Sequence, residues 1–312
     1  MTQQNLFQVV QYDAGRRTGI ATFLSAPLSE NLENVEVGII GVPFDGGTFS
    51  TPGTRHGPRE IRIQSLRRSV GAAYNFALKV QPFEKHKIYD CGDVILNPVS
   101  LTQASAEITN AVATLLDKNI LPICIGGDHY ITYPILKAMF QKRGPIGVVQ
   151  FDSHTDTADE FFGDKYNNAT PFRRAIEEGF VIPDKLVQVG IRRFYKGELD
   201  YHAEHGIHII PMLELKQMGI EGFSKQLEIF RNTKVYVTFD IDFVDPAFAP
   251  GTGGVEPGGV TSFEALQLVR CLQGLNIVGM DIAEVCPSLD VGNNITSLLA
   301  AHLLYEMVCI LP

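Results

Sequence analysis

The chain has 312 residues, 45% of them hydrophobic, enough for one large α/β domain or two smaller ones. Lysine and arginine number 26 against 35 acidic residues, and the net charge of −9 argues against a nucleic-acid partner, which selects a basic footprint. Five scattered cysteines without a C-x-x-C pair read as free thiols in a reducing compartment, no secretory leader is visible at the start, and the apolar stretch 298–311 is interrupted by His302, Tyr305 and Glu306, so the expectation is a cytoplasmic protein outside the membrane.

In chain order, residues 1–35 read as an irregular arm and a candidate oligomer contact, followed by one domain over 36–312. Strand-like apolar runs fall near 36–42, 87–90, 121–125, 146–152, 186–190, 207–210, 234–240 and 277–283. Helix-like segments fall at 57–70, 103–118, 131–142, 170–179, 213–231, 261–272 and 293–309. Short strands alternating with helices predict βαβ units, hence a three-layer α/β/α sandwich around a mainly parallel sheet of about eight strands. Ligands of such sheets bind beyond the carboxyl ends of the strands.

Three of the runs end in chemistry. The run at 122–125 leads into Gly126-Gly127-Asp128-His129. The run ending at Phe151 leads into Asp152-Ser153-His154-Thr155-Asp156, and the run at 235–239 into Asp240-Ile241-Asp242. Side chains two apart on a strand point the same way, so Asp152, His154 and Asp156 would leave one strand end together. His129, His154, Asp152, Asp156, Asp240 and Asp242 make an oxygen-rich set that suits Mn²⁺ and tolerates Ni²⁺, Co²⁺ or Fe²⁺. Four converging carboxylates are costly to bury without counter-charge, and two divalent cations would cancel them. Two such ions about 3.5–4 Å apart can share a water and make hydroxide available at neutral pH, which is hydrolytic chemistry.

These residues resemble the ureohydrolases, the family of arginase and agmatinase, and the agmatinase-like branch most. The resemblance rests on the three motifs above, with Val244-Asp245-Pro246 following the third. Further matches run from Ala21-Thr22-Phe23 through Gly41-Val42-Pro43-Phe44-Asp45 and Pro52-Gly53-Thr54-Arg55-His56-Gly57-Pro58 to Glu256-Pro257-Gly258-Gly259 and Asp281-Ile282-Ala283-Glu284. The resemblance implies one metal on His129, Asp152, Asp156 and Asp240, and a second on Asp152, His154, Asp240 and Asp242. It also implies that a bridging hydroxide, oriented by Asp156, attacks the guanidinium carbon of a small guanidino substrate. Glu284 stands at the family position that receives the guanidinium, a role suited to a carboxylate facing paired N–H donors. Trimers and hexamers are the family's assemblies, so a homo-oligomer is expected, with a paralogous subunit as an option.

One departure is informative. The family usually has His-Gly-Thr where this chain has Asn168-Ala169-Thr170, and an amide cannot serve as a general acid. Either the pocket has changed its substrate, or another group or water carries the proton, or the chain is a non-catalytic partner of an active paralogue. The six intact ligands favour an active enzyme, acting on guanidine or a small N-alkylguanidine or biguanide. Agmatine, guanidinobutyrate and guanidinopropionate are the alternative substrates. A single-zinc deacetylase-like amidohydrolase is the competing enzyme class. Arg173, Arg174, Arg192, Arg193 and Lys196 are candidate contacts for a substrate tail, and His202, His205 and His208 read as capping or solvated groups. Arg55 and His56 are expected to fix a loop, and Asp128 to hold the loop beside His129.

Overall fold

The computed structural model describes residues 19–29, 31–67, 74–195 and 197–312. Its strands are β1 (Val37–Gly41), β2 (Ile88–Asp93), β3 (Leu121–Ile125), β4 (Ile146–Phe151), β5 (Val181–Ile191), β6 (His208–Pro211), β7 (Lys234–Asp240) and β8 (Asn276–Ala283). They form one sheet in the order β2-β1-β3-β8-β7-β4-β5-β6, and every neighbouring pair is parallel. The helices are α1 (Gly57–Ser65), α2 (Pro82–Lys85), α3 (Leu101–Asp117), α4 (Thr132–Arg143), α5 (Pro171–Glu177), α6 (Glu198–His205), α7 (Met212–Gln226), α8 (Ser262–Arg270) and α9 (Ile295–Cys309).

The continuous apolar character of the strands follows from burial on both faces. In β4, Val149 and Phe151 join the core under α7, α8 and α9, while Ile146 and Val148 join the core under α3, α4 and α5. Strand β7 divides the same way, with Val235, Val237 and Phe239 on one face and Tyr236 on the other. The result is the expected three-layer sandwich.

Some boundaries moved. β5 begins at Val181, ahead of the expected 186, because a register irregularity lets its early residues pair with Ile146 before the regular ladder starts at Leu186. α1 ends at Ser65, and residues 68–70 of the expected helix lie outside the described residues. The expected helix at 213–231 is broken at Gly219, which takes a left-handed φ of 64°, and it finishes as a 3₁₀ turn over Leu227–Phe230. Of the arm, residues 1–18 and 30 lie outside the described residues. Phe23 and Leu24 are buried, their amides donating to Asp90 Oδ2 and Ser65 Oγ at 2.8 Å each. Among the described residues no helix is long and apolar enough to cross a membrane, and all five cysteines are free.

The fold levels one edge of the sheet. Ile125, Ile282, Phe239 and Phe151 stand in register across the adjacent strands β3, β8, β7 and β4. Phe239 and Phe151 are wholly buried, with ring centroids 5.3 Å apart, and Phe243 packs 5.5 Å from Phe239. Truncating Phe239→Ala should therefore cost about 3–5 kcal/mol. It should appear as a lower denaturant midpoint at unchanged slope.

Candidate metal centre

Within one to four residues beyond that row of four side chains the chain turns polar. β3 leads through Gly126 and Gly127 to His129, β4 to Asp152, His154 and Asp156, β7 to Asp240 and Asp242, and β8 to Glu284. Because β3, β8, β7 and β4 are neighbours, residues up to 155 positions apart in sequence meet at one edge, as the 2.8 Å bond from the His129 amide to Glu284 Oε1 illustrates. Gly127 is required where it stands, since any Cβ there would collide with the backbone of Phe44. Gly254 closes the opposite side, where a Cβ would press on Asp242 Oδ2 at 2.9 Å and His154 Cε1 at 3.0 Å.

All six sequence-predicted ligands come together. His129 Nδ1 lies 3.0 Å from Asp152 Oδ2, 2.9 Å from Asp156 Oδ2 and 3.3 Å from Asp240 Oδ2. His154 Nδ1 lies 3.0 Å from Asp242 Oδ2 and 3.6 Å from Asp152 Oδ1. Two overlapping groups could hold a cation, His129 with Asp152 and Asp240, and Asp152 with His154 and Asp242; within each, the candidate donor atoms lie within 4.8 Å of one another. Asp152 is common to both.

The electrostatics call for positive charge. Burial opposes the charged form of His129, yet the carboxylates of Asp152, Asp156 and Asp240 overrule it and push its pKa well above the usual histidine range. Burial and the neighbouring Asp152 push Asp156 up to about 7. Burial, Asp242 and Asp152 hold Asp240 well above the usual carboxylate range. His129 Nδ1 makes no well-directed hydrogen bond although three carboxylate oxygens surround it. Those oxygens compel positive charge at that nitrogen, from a proton or from a divalent cation.

A second sphere, absent from the sequence reading, sets how the ligands face. Asp281, fully buried in β8, accepts from Thr238 Oγ1 at 2.6 Å and from Thr132 Oγ1 at 2.9 Å and Tyr236 Oη at 2.8 Å. The Thr238 hydroxyl gives its proton to Asp281, so toward His129 Nε2, 2.8 Å away, it accepts. Nε2 therefore carries a proton, and Nδ1 is the nitrogen that faces the carboxylates and takes the compensating proton or cation. Gln188 Nε2 donates to Gln150 Oε1 at 2.6 Å, and Gln150 Nε2 to Asp152 Oδ2 at 2.7 Å. Ser153 Oγ donates to Asp242 Oδ1 at 2.7 Å. A polar residue inside an otherwise apolar buried strand was the available signal for Gln150, Gln188, Thr238 and Asp281.

Two site residues have left-handed backbones, Asp156 at φ 52° and Glu284 at φ 63°. Such conformations cost roughly 1–2 kcal/mol in a residue with a Cβ and persist where the surroundings enforce them. Here the Glu284 amide donates to Gly127 O at 2.8 Å, and the Asp156 carbonyl accepts from the Phe172 amide at 3.2 Å.

A cavity of about 270 Å³ opens over this centre, with Asp156, Asp240, Asp242, Asn168 and Glu284 in its wall. Asn168 Nδ2 donates to Glu284 Oε1 at 3.2 Å. Thr170 does not line the cavity: it is wholly buried, donating to Asn167 O at 3.0 Å and accepting from the Asn167 amide at 3.0 Å, and so it braces the Asn168 turn. The candidate cations separate. Arg192 donates to the backbone carbonyls of Gly190, Asp242, Phe243 and Glu256, and Arg173 and Arg174 bind Asp159 and Glu177. Arg193 lines the cavity, and Lys196 lies outside the described residues. His202 and His205 have separate partners, Thr157 Oγ1 and the Tyr201 carbonyl. Arg55 binds Asp45, and Asp128 Oδ2 accepts from the Gly47 amide at 2.7 Å, holding the loop as expected.

The chain belongs to the arginase family, whose family model matches residues 35–309. Within that family it falls in the agmatinase-like branch. It is 43% identical over 301 residues to a guanidinopropionase of Pseudomonas aeruginosa, spanning 95% of this chain and 93% of that protein. A guanidinobutyrase of the same organism is 40% identical over 300 residues, spanning 94% and 93%. Among solved structures, the proclavaminate amidino hydrolase of Streptomyces clavuligerus superposes with a TM-score of 0.88 at 37% identity, covering 95% of this chain and 98% of that one.

Replacing Thr238→Val would orphan the buried Nε2–H of His129 and remove one of the three hydroxyls from Asp281. A loss of about 1–3 kcal/mol in unfolding free energy is expected in metal-free protein, measured by urea denaturation.

Proposed function

We propose that this chain is a hydrolase of guanidino compounds, adding water across the guanidinium carbon to release urea, or a urea derivative, and an amine or ammonia. The observation that carries this reading is the convergence of six metal-competent side chains from adjacent strands beneath a cavity that also presents Glu284. The donor set fits a pair of divalent cations, because four carboxylates and two imidazoles balance two 2+ ions and leave Glu284 to balance a substrate cation. His129, Asp152, Asp156 and Asp240 would hold one ion and Asp152, His154, Asp240 and Asp242 the other. Mn²⁺ or Ni²⁺ matches this oxygen-rich, imidazole-containing set. Bound there, the ions supply Lewis-acid polarisation and a water of lowered pKa.

The protein's own groups do the positioning. Glu284 Oε1 is engaged by the His129 amide and Asn168 Nδ2, which fixes the plane of the carboxylate and leaves its other oxygen to the guanidinium. Asp156, in the same cavity wall, orients the attacking water. One water and one guanidinium cation yield neutral urea and one ammonium-type product, so atoms and charge balance without a further reactant. Asn168 holds no titratable proton, and the proton on the departing nitrogen derives from the attacking water. Asn168 and Ala169 in place of His-Gly support a compact substrate, guanidine or a small N-alkylguanidine or biguanide. Agmatine and the guanidino acids are the alternatives that the relatives support. A single catalytic domain over 36–312, a cytoplasmic location and a homohexamer or homotrimer complete the reading.

Metal analysis should find two ions per chain after loading with Mn²⁺ or Ni²⁺, and chelation should abolish urea release until either ion is returned. One zinc per chain with no urea release would favour the deacetylase-like class instead. Glu284→Gln should keep both metals yet lose about a hundredfold in kcat/KM, because the charge that matches the guanidinium is gone. Steady-state urea assays with guanidine, N,N-dimethylguanidine, agmatine and 4-guanidinobutyrate test the compact-substrate reading, which a preference for agmatine would overturn.

A further inference from the structure

The outer part of the cavity differs in kind from its floor. Phe49 stacks on Phe161 at 4.1 Å between centroids, and Phe161 meets the Tyr195 ring edge-on at 5.2 Å. The Arg193 guanidinium lies 5.7 Å from the centroid of Tyr195. Arg193 is pinned beside the centre by its backbone, which bridges to His154 and donates to Ser153 O at 3.1 Å. Among the described residues lining the cavity it is the sole arginine or lysine. A substrate carrying an anionic tail would turn to it first.

That guanidinium is already engaged. Arg193 Nη1 donates to Glu256 Oε1 at 2.6 Å, and the side chains are 53% and 22% exposed, so the pair stands at the water-facing side of the cavity. Glu256 is held from behind, its carbonyl accepting from Arg192 Nη2 at 2.9 Å. We propose that Glu256 is a specificity latch. Resting on the guanidino-hydrolase reading above, it occupies Arg193 and places a negative charge where a substrate tail would emerge, so the pocket selects guanidino compounds with uncharged tails and rejects guanidino acids. Both effects have the same sign. A tail carboxylate must displace Glu256 from Arg193 and also approach it against like-charge repulsion, and rejection by a built-in repulsive group is an economical source of specificity. An uncharged tail meets the aromatic face of Phe49 and Tyr195 and leaves the pair intact. The pair is open to water on the Arg193 side, which weakens it enough that one substitution can release the guanidinium, and the Glu256 oxygen it binds also lies 3.9 Å from His154 Nε2.

The test uses the full-length protein loaded with Mn²⁺ and compares 4-guanidinobutyrate with N-propylguanidine, which has a similar chain and no charge. The readout is the ratio of the two kcat/KM values within one preparation, which cancels differences in folded or metal-loaded fraction. The wild type should favour N-propylguanidine. Glu256→Gln should shift the ratio toward 4-guanidinobutyrate by about tenfold or more, mainly through KM, because Arg193 is freed and the repulsion removed. The double variant Glu256→Gln with Arg193→Gln should lose most of that gain. A wild type that favours 4-guanidinobutyrate, a shift of less than twofold, or a gain that survives in the double variant would each overturn the latch. If no protein releases urea from either compound, the hydrolase reading fails by itself. The latch is then judged by the same ratio of Kd values from titration calorimetry, with the same thresholds.

Discussion

Crowding of like charge at one edge of the sheet is the constraint around which the rest of this molecule is arranged. Asp152, Asp156, Asp240 and Asp242 are all buried, and three of them bring an oxygen within 3.3 Å of one imidazole nitrogen. Such a cluster persists only where cations compensate it and where the backbone leaves its members no alternative position. The sheet supplies the second condition. Four neighbouring parallel strands carry their last large apolar residues in register, so the polar residues that follow one to four positions later gather beyond the same row, and that row excludes water from below.

The surrounding polar network follows from that constraint. A carboxylate in such a cluster can rotate or slide, and for Asp152 and Asp242 a named neighbour restrains it. Gln150 holds Asp152, Ser153 holds Asp242, and the Thr238–Asp281 pair keeps a proton on Nε2 of His129. The left-handed backbones of Asp156 and Glu284 belong to the same arrangement, since both of these residues line the cavity. Further out the design changes from rigid to adjustable: Arg193 is exposed, joined to a partly buried Glu256 by one hydrogen bond and set against the Tyr195 ring, while Glu256 Oε1 also lies 3.9 Å from His154 Nε2.

Much of this was legible in the residue order because parallel strands of an α/β sheet have a simple code. Runs such as Val235-Tyr236-Val237 are apolar at every position, and the first polar residue after each run marks the level of the site. The close spacing of Asp152, His154 and Asp156 marked them as one group, although β4 ends at Phe151 and Asp156 turns left-handed, so it is the loop beyond the strand that aims them. Strand order was not legible, since nothing in the sequence states that β8 lies between β3 and β7. Gln150, Gln188 and Asp281 passed as members of apolar strands because their importance depends on what faces them across the sheet.

The chain by its own order of residues therefore specified the sandwich, the six metal-competent groups and the family, because local periodicity and short motifs are properties of neighbouring residues. Tertiary structure alone decided which nitrogen of His129 faces the carboxylates, that Thr170 braces a turn away from the cavity, and that of the four described candidate cations Arg193 reaches it already paired with Glu256. Each of those depends on partners 3 to 109 positions away meeting at hydrogen-bond distance. Whether a polar side chain is free, paired or buried is set by that meeting and not by its immediate neighbours.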